Sequence, residues 1–137
     1  MIRGLGIDLV DVARLGRAIA AHGDRFLTRV FTADELAHAD RIRGDARAIH
    51  LAGRFAAKEA AMKALGTGLG GGVRFVDFEV RTDDGTGAPT LLLRAAAARH
   101  AALRGAARSH LSISHIGTHA TAVVVLEGDD DAHLPKG

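Results

Sequence analysis

The chain contains no cysteine, tryptophan or tyrosine, and its 137 residues include only two prolines and five phenylalanines. Without cysteine there is no disulfide, no thiolate zinc site and no cysteine nucleophile. No apolar run approaches the ~20 residues that span a bilayer. Met1-Ile2-Arg3-Gly4 enters a strand-like pattern at once, with no signal-peptide core. A soluble cytoplasmic protein is the expectation. Lysine and glutamate are also scarce. The basic residues are 15 Arg and just Lys58, Lys63 and Lys136, and the acids are 12 Asp and four Glu. What is abundant is small: 27 Ala and 17 Gly. With 47% hydrophobic and 25% charged residues the composition is that of a globular chain, and the length suits one domain.

The pattern along the chain predicts an α+β fold. Residues 2–10 read as a buried strand. Asp11 stands where a helix begins, and Val12, Leu15, Ile19 and His22 follow 3.6 periodicity up to Gly23. Thr32-Ala33-Asp34-Glu35 is a capping box and opens a second helix reaching about residue 43. A third, longer helix runs from about 46 to 65 and stops at Gly66-Thr67-Gly68. Residues 73–81 alternate, with Val76, Phe78 and Val80 on one face and Asp77, Glu79 and Arg81 on the other. A turn at 82–87 leads to a strand at 89–94, and 95–104 is helical by propensity. Residues 109–115 and 119–127 form a hairpin. Such segregated runs favour a mainly antiparallel sheet packed against the long helix. Residues 1–127 read as the domain, and 128–137 as a polar acidic tail that frays.

Two positions break the apolar patterns. On the long helix, Glu59 falls between Phe55 and Lys63, beside the apolar stripe, where a carboxylate must be paired, protonated or bound to a cation. Lys63 follows at i+4. The spacing fits a plain surface ion pair. It also fits a metal-and-phosphate site, with Glu59 giving an oxygen to a hard cation and Lys63 a charge to a phosphate. Asp8 interrupts the apolar first strand, and Gly4 and Gly6 before it permit close backbone approach. Two carboxylates suit Mg²⁺ when phosphates and water complete its octahedron. Ser112-Ile113-Ser114-His115 sits at a strand end, without the elbow of a serine hydrolase.

Gly6-Ile7-Asp8-Leu9-Val10, Phe31-Thr32 with Glu35-Leu36, Arg54-Phe55-Ala56-Ala57-Lys58-Glu59-Ala60 through Gly68, and Ser112-Ile113-Ser114-His115 together resemble the motifs of the holo-[acyl-carrier-protein] synthases, the small bacterial phosphopantetheinyl transferases. The helix motif is the most specific, and the resemblance covers 2–127. It implies that fold and a reaction in which the 4′-phosphopantetheine arm of coenzyme A moves to a serine of an apo acyl carrier protein. Adenosine 3′,5′-bisphosphate is released, in support of fatty-acid or polyketide biosynthesis. By the same resemblance Asp8 and Glu59 bind Mg²⁺, with Mn²⁺ as an alternative. Glu59, Asp8 and Lys63 are catalytic, and Arg54, Lys58, Lys63, Gly66, Ser114 and His115 bind coenzyme A. Arg14 meets the carrier protein, and Arg17 shares its outward helix face. A homotrimer with active sites between subunits is implied too.

Some features depart from the family pattern. Gly70-Gly71-Gly72 is unusually glycine-rich, and Ala88 stands before Pro89 where a lysine is frequent. Two other classes compete. A nucleic-acid-binding module draws on the 15 Arg, but formal net charge is only +2 and stacking Tyr and Trp are absent. A catalytically silent coenzyme A-binding scaffold is disfavoured by intact Asp8, Glu59 and Lys63. Neither nucleic acid nor a membrane is an expected partner.

Overall fold

A computed structural model describes residues 1–130. The order is β1 (Ile2–Asp11), α1 (Val12–His22), α2 (Asp24–Val30), α3 (Ala33–Ala39), α4 (Asp45–Leu65), a 3-10 turn (Phe75–Asp77), β2 (Phe78–Thr82), β3 (Pro89–Leu93), α5 (Ala95–Leu103), β4 (Arg108–His115) and β5 (His119–Glu127). Among the described residues the strands form two antiparallel sheets, β1-β5-β4 and the hairpin β2-β3. The α+β expectation holds.

α4 lies across the three-stranded sheet at backbone-to-backbone range. Its buried face is alanine, at Ala52, Ala56, Ala57, Ala60, Ala61 and Ala64. It meets Gly4 and Gly6 of β1, and β5 turns Ala120 and Ala122 inward. A Cβ added at Gly6 would stand 1.8 Å from the Ala60 carbonyl oxygen, and one at Gly4 2.2 Å from that of Ala64. The small residues are therefore what allow the approach. The expectation that β1 is a buried strand is corrected for one of its faces. Leu5, Ile7 and Leu9 point away from α4 and are 65%, 61% and 67% exposed, because no element of the described residues covers that face of the sheet.

Local signals behave as the side chains dictate. Asp11 caps α1, its Oδ1 accepting from the Arg14 N–H at 3.0 Å. Thr32 and Glu35 close their capping box around the start of α3. Gly66, at φ 74°, ends α4 in the left-handed conformation. Three expectations fail. α2 fills a stretch read as connection, with Phe26, Leu27 and Val30 turned toward the core. α3 ends at Ala39, short of 43. Residues 73–77 are not strand, and Asp77 and Glu79 are buried instead of solvated. Asp77 is satisfied by the Arg74 N–H and guanidinium, and Glu79 by Thr32, Arg81 and Arg94. Period-two alternation misassigns them because it ignores these cationic partners. The acidic tail starts ordered: the Gly128 N–H donates to the Met1 carbonyl, and the Met1 ammonium donates to the Gly128 carbonyl and to Asp130. Residues 131–137 of the tail lie outside the described residues.

Gly6→Ala drives a methyl into a helix carbonyl, so a loss of about 3 kcal/mol or more in chemical denaturation is expected, the upper end of overpacking costs. An unchanged denaturation midpoint would refute the close-contact account.

Candidate active site

The β1–α4 contact brings Asp8, Glu59 and Lys63 together. Lys63, one turn after Glu59, reaches across to β1 and donates to Asp8 Oδ1 at 2.9 Å and to the Ile7 carbonyl at 3.0 Å. The Asp8 backbone is held from its other side, where Thr121 Oγ1 donates to the Asp8 carbonyl at 2.8 Å. Glu59 is half-buried, and its carboxyl is pushed above the usual range, first by burial and then by the Asp8 charge, against the opposing pull of Lys63. Two carboxylates thus face one space. Both are hard oxygen donors. Two such ligands beside open volume match the donor set of Mg²⁺, and no cluster of three or more His, Cys, Asp or Glu suited to a metal occurs among the described residues.

The open volume is a cleft of about 510 Å³ bounded by Asp8, Asp11, Arg14, Phe26, Phe55, Glu59 and His119. Arg14 places a guanidinium at this cleft, while Arg17 lies exposed farther along α1. His119 escapes the sequence reading. It sits opposite Asp11 in the β1–β5 register, with Nε2 4.0 Å from Asp11 Oδ2. The signal existed in the pairing of the two strands, which one strand's pattern does not reveal.

Arg54 faces a different space. A cleft of about 430 Å³ is lined by Arg54 with Asp34, His38, His50, Arg81, Thr82 and Asp84 among others. One Arg54 nitrogen donates to Thr82 Oγ1 at 2.8 Å, which orients the guanidinium. His38 and His50 stack with centroids 5.0 Å apart. Burial, then the charges of Arg54 and His38, pull His50 down to about 4, so its ring is neutral at pH 7. Phe55, at the wall of the first cleft, stacks on Phe75 at 5.6 Å and lies near Phe26 at 6.4 Å.

The assignment of Lys58 to coenzyme A is corrected. Its side chain has no exposed surface, and its ammonium donates to Glu35 Oε1 at 2.7 Å, to the Phe75 carbonyl at 3.3 Å and to the Phe78 carbonyl. An ammonium has three protons, and all are committed. Ser114 and His115 stand apart as well. Both are exposed at the end of β4, and neither lines the cleft of Glu59 or that of Arg54. Ser114 shares a row with Thr121 and Leu9. Gly66 is exposed at the end of α4, one turn past Lys63.

Residues 4–124 match the family model described as the 4′-phosphopantetheinyl transferase superfamily. The chain is 54% identical over 130 residues to a holo-[acyl-carrier-protein] synthase of Alkalilimnicola ehrlichii, covering 95% of this chain and 100% of that one. Among solved structures it resembles the holo-[acyl-carrier-protein] synthase of Neisseria meningitidis at 35% identity and TM-score 0.83, over 93% of this chain and 99% of that one. It also resembles the Bacillus anthracis enzyme, solved in complex with CoA (3′,5′-ADP), at 40% identity and TM-score 0.78, over 94% of this chain and 99% of that one. These matches span nearly the whole of each partner and take in the β1–α4 pair that holds Asp8, Glu59 and Lys63, so the chain belongs to the 4′-phosphopantetheinyl transferase superfamily and, within it, to the holo-[acyl-carrier-protein] synthases.

Proposed function

We propose that this enzyme transfers the 4′-phosphopantetheine arm of coenzyme A to a serine of an apo acyl carrier protein, with Asp8, Glu59 and Lys63 as its catalytic group. The observation that carries this reading is the meeting of two carboxylates, Asp8 and Glu59, in one cleft, with the Lys63 ammonium bonded to the first of them. The serine oxygen forms a bond to the phosphorus that bears the pantetheine. The bond from that phosphorus to the bridging oxygen breaks, and adenosine 3′,5′-bisphosphate leaves with the electron pair. Asp8 and Glu59 would hold Mg²⁺, or Mn²⁺ in its place, and the ion would supply charge neutralisation at the pyrophosphate. Lys63 adds a mobile cation beside the same oxygens. Glu59, whose proton affinity is already raised, is suited to take the serine proton, directly or through a water.

The donor's nucleotide end belongs in the Arg54 cleft, where the guanidinium meets phosphate and the neutral His50 ring offers a flat face to a base. Gly66, exposed at the end of α4 one turn past Lys63, is placed to meet the same donor. Arg14, and Arg17 along the same helix, offer positive charge to an acidic carrier protein. The bare face at Leu5, Ile7 and Leu9 supports a homotrimer. Ser114 and His115, which complete no site in their own protomer, then serve the site of a neighbouring copy. The product, a carrier able to hold acyl thioesters, places the enzyme in fatty-acid or polyketide synthesis in the cytoplasm.

Incubation with apo carrier protein, coenzyme A and Mg²⁺ is expected to raise the carrier's mass by one phosphopantetheine arm. Glu59→Gln and Asp8→Asn should each lower kcat by about 10²-fold or more, the range for losing a positioned base, with the fold intact by circular dichroism. Near-parental rates in both would refute the site. Ile7→Asp is expected to convert a trimer into monomers in sedimentation and to abolish turnover; a parent that sediments as a monomer would contradict the assembly. For His50, the unfolded ring takes a proton near 6.5 and the folded ring only near 4. Stability is therefore fully present above 6.5 and is lost as pH falls from 6.5 to 4. His50→Phe should flatten that decline in urea midpoints, and parallel curves would count against a buried neutral ring.

A further inference from the structure

Lys63 stands one turn after Glu59 on α4, at the i+4 spacing where a helix pairs glutamate with lysine. It makes its ion pair elsewhere. Its ammonium crosses to β1 and bonds Asp8 Oδ1 and the Ile7 carbonyl, while it acts on Glu59 through space. The two partners of this pair are unequal. The Asp8 side chain is 14% exposed and that of Lys63 56%. A carboxylate so far withdrawn from water needs a cation or hydrogen-bond donors. Among the described residues, Lys63 is the one that donates to the Asp8 carboxylate. Lys63 is under no matching constraint. Its flexible stem lies half in solvent, and two bonds leave one of its three protons for another acceptor.

Asp8 therefore has two claimants, the ammonium and the divalent ion that it would hold with Glu59. A bonded ammonium cancels the charge of Asp8 toward a second cation, whichever carboxylate oxygen that cation takes. With Lys63 in place, two ionised carboxylates and one ammonium leave a single net negative charge for the metal. With Lys63 drawn off, both carboxylates act on it in full. The pyrophosphate of coenzyme A supplies what can draw it off, since its anionic oxygens compete with Asp8 for the same protons.

We propose that Lys63 is an exchangeable counter-ion of Asp8: its ammonium occupies the carboxylate until the pyrophosphate of coenzyme A takes the ammonium over, so that donor and metal favour one another's binding. The inference rests on the reading of Asp8 and Glu59 as the metal carboxylates and of coenzyme A as the donor.

Mn²⁺ binding to the full-length enzyme, followed by electron paramagnetic resonance and calorimetry at fixed ionic strength, tests the exchange. Carrier protein is left out, so no transfer occurs. The variants are Lys63→Met, Lys63→Gln and Arg14→Met, the last removing an exposed cation that lines the same cleft without a bond to Asp8. Without coenzyme A, both Lys63 variants are expected to bind Mn²⁺ at least about fivefold more tightly than the parent, because a bonded charge is removed. Arg14→Met changes it by less than about twofold, its charge being screened by solvent. Coenzyme A tightens Mn²⁺ binding in the parent by a factor about threefold larger than in Lys63→Met, and by linkage Mn²⁺ tightens coenzyme A by the same factor. Mn²⁺ affinity unchanged or weakened in the Lys63 variants, a gain no larger than that of Arg14→Met, or equal coupling in parent and Lys63→Met overturns the exchange. Parental Mn²⁺ affinity in both Asp8→Asn and Glu59→Gln instead defeats the metal assignment beneath it. A parent that adds no mass to any carrier defeats the transferase reading, so the failures are distinguishable.

Discussion

The contact of β1 with α4 is the constraint on which the site depends. Elsewhere in proteins a helix rides on a sheet at the distance set by leucine and valine side chains. Here Gly4 and Gly6 let the strand reach the carbonyls of Ala60 and Ala64 directly. The next inward position on β1 after the two glycines is Asp8, and the next polar positions on α4 are Glu59 and Lys63. At this short range a lysine from the helix bonds a carboxylate of the strand. With side chains of ordinary size between the layers, Asp8 and Lys63 would separate by several ångströms and the carboxylates would no longer share one cleft.

The same economy of size has a second consequence. An alanine face contributes little buried area per residue, so the larger buried groups come mostly from other elements, among them Phe31, Phe78, Val30 and Leu126. The buried Lys58 sits over the Phe31 ring. Glu35 and Lys58 satisfy one another and four backbone groups between them, so their desolvation is offset by bonds with defined directions rather than by contact area. The bare face of β1 is the opposite situation, apolar side chains with nothing over them.

How much of this was legible depends on the range of each interaction. The capping box at Thr32 and Glu35, the cap at Asp11 and the stop at Gly66 are decided within a few residues, and all are where the chain alone places them. Asp8 and Glu59 were also legible, because a carboxylate inside an apolar pattern demands a partner whatever the fold. Lys58 was not. Its spacing and its motif are the same whether the ammonium faces solvent or the core, and only Glu35, 23 positions away, decides the matter. Asp77 and Glu79 misled for a related reason: alternation reports faces, while burial of a carboxylate depends on cations brought by other elements.

The sequence by itself determined the family, the α+β class, the long alanine-rich helix and the pair of carboxylates, since each rests on local pattern or on residue types in a set order. The tertiary structure alone decided which cations serve which carboxylates. Lys63 reaches Asp8 across 55 positions, Arg54 turns to Thr82 in a separate cleft, and Lys58 disappears into the core. Charges act through distance in space, and that distance exists only after glycine and alanine have let the strand and the helix close on one another.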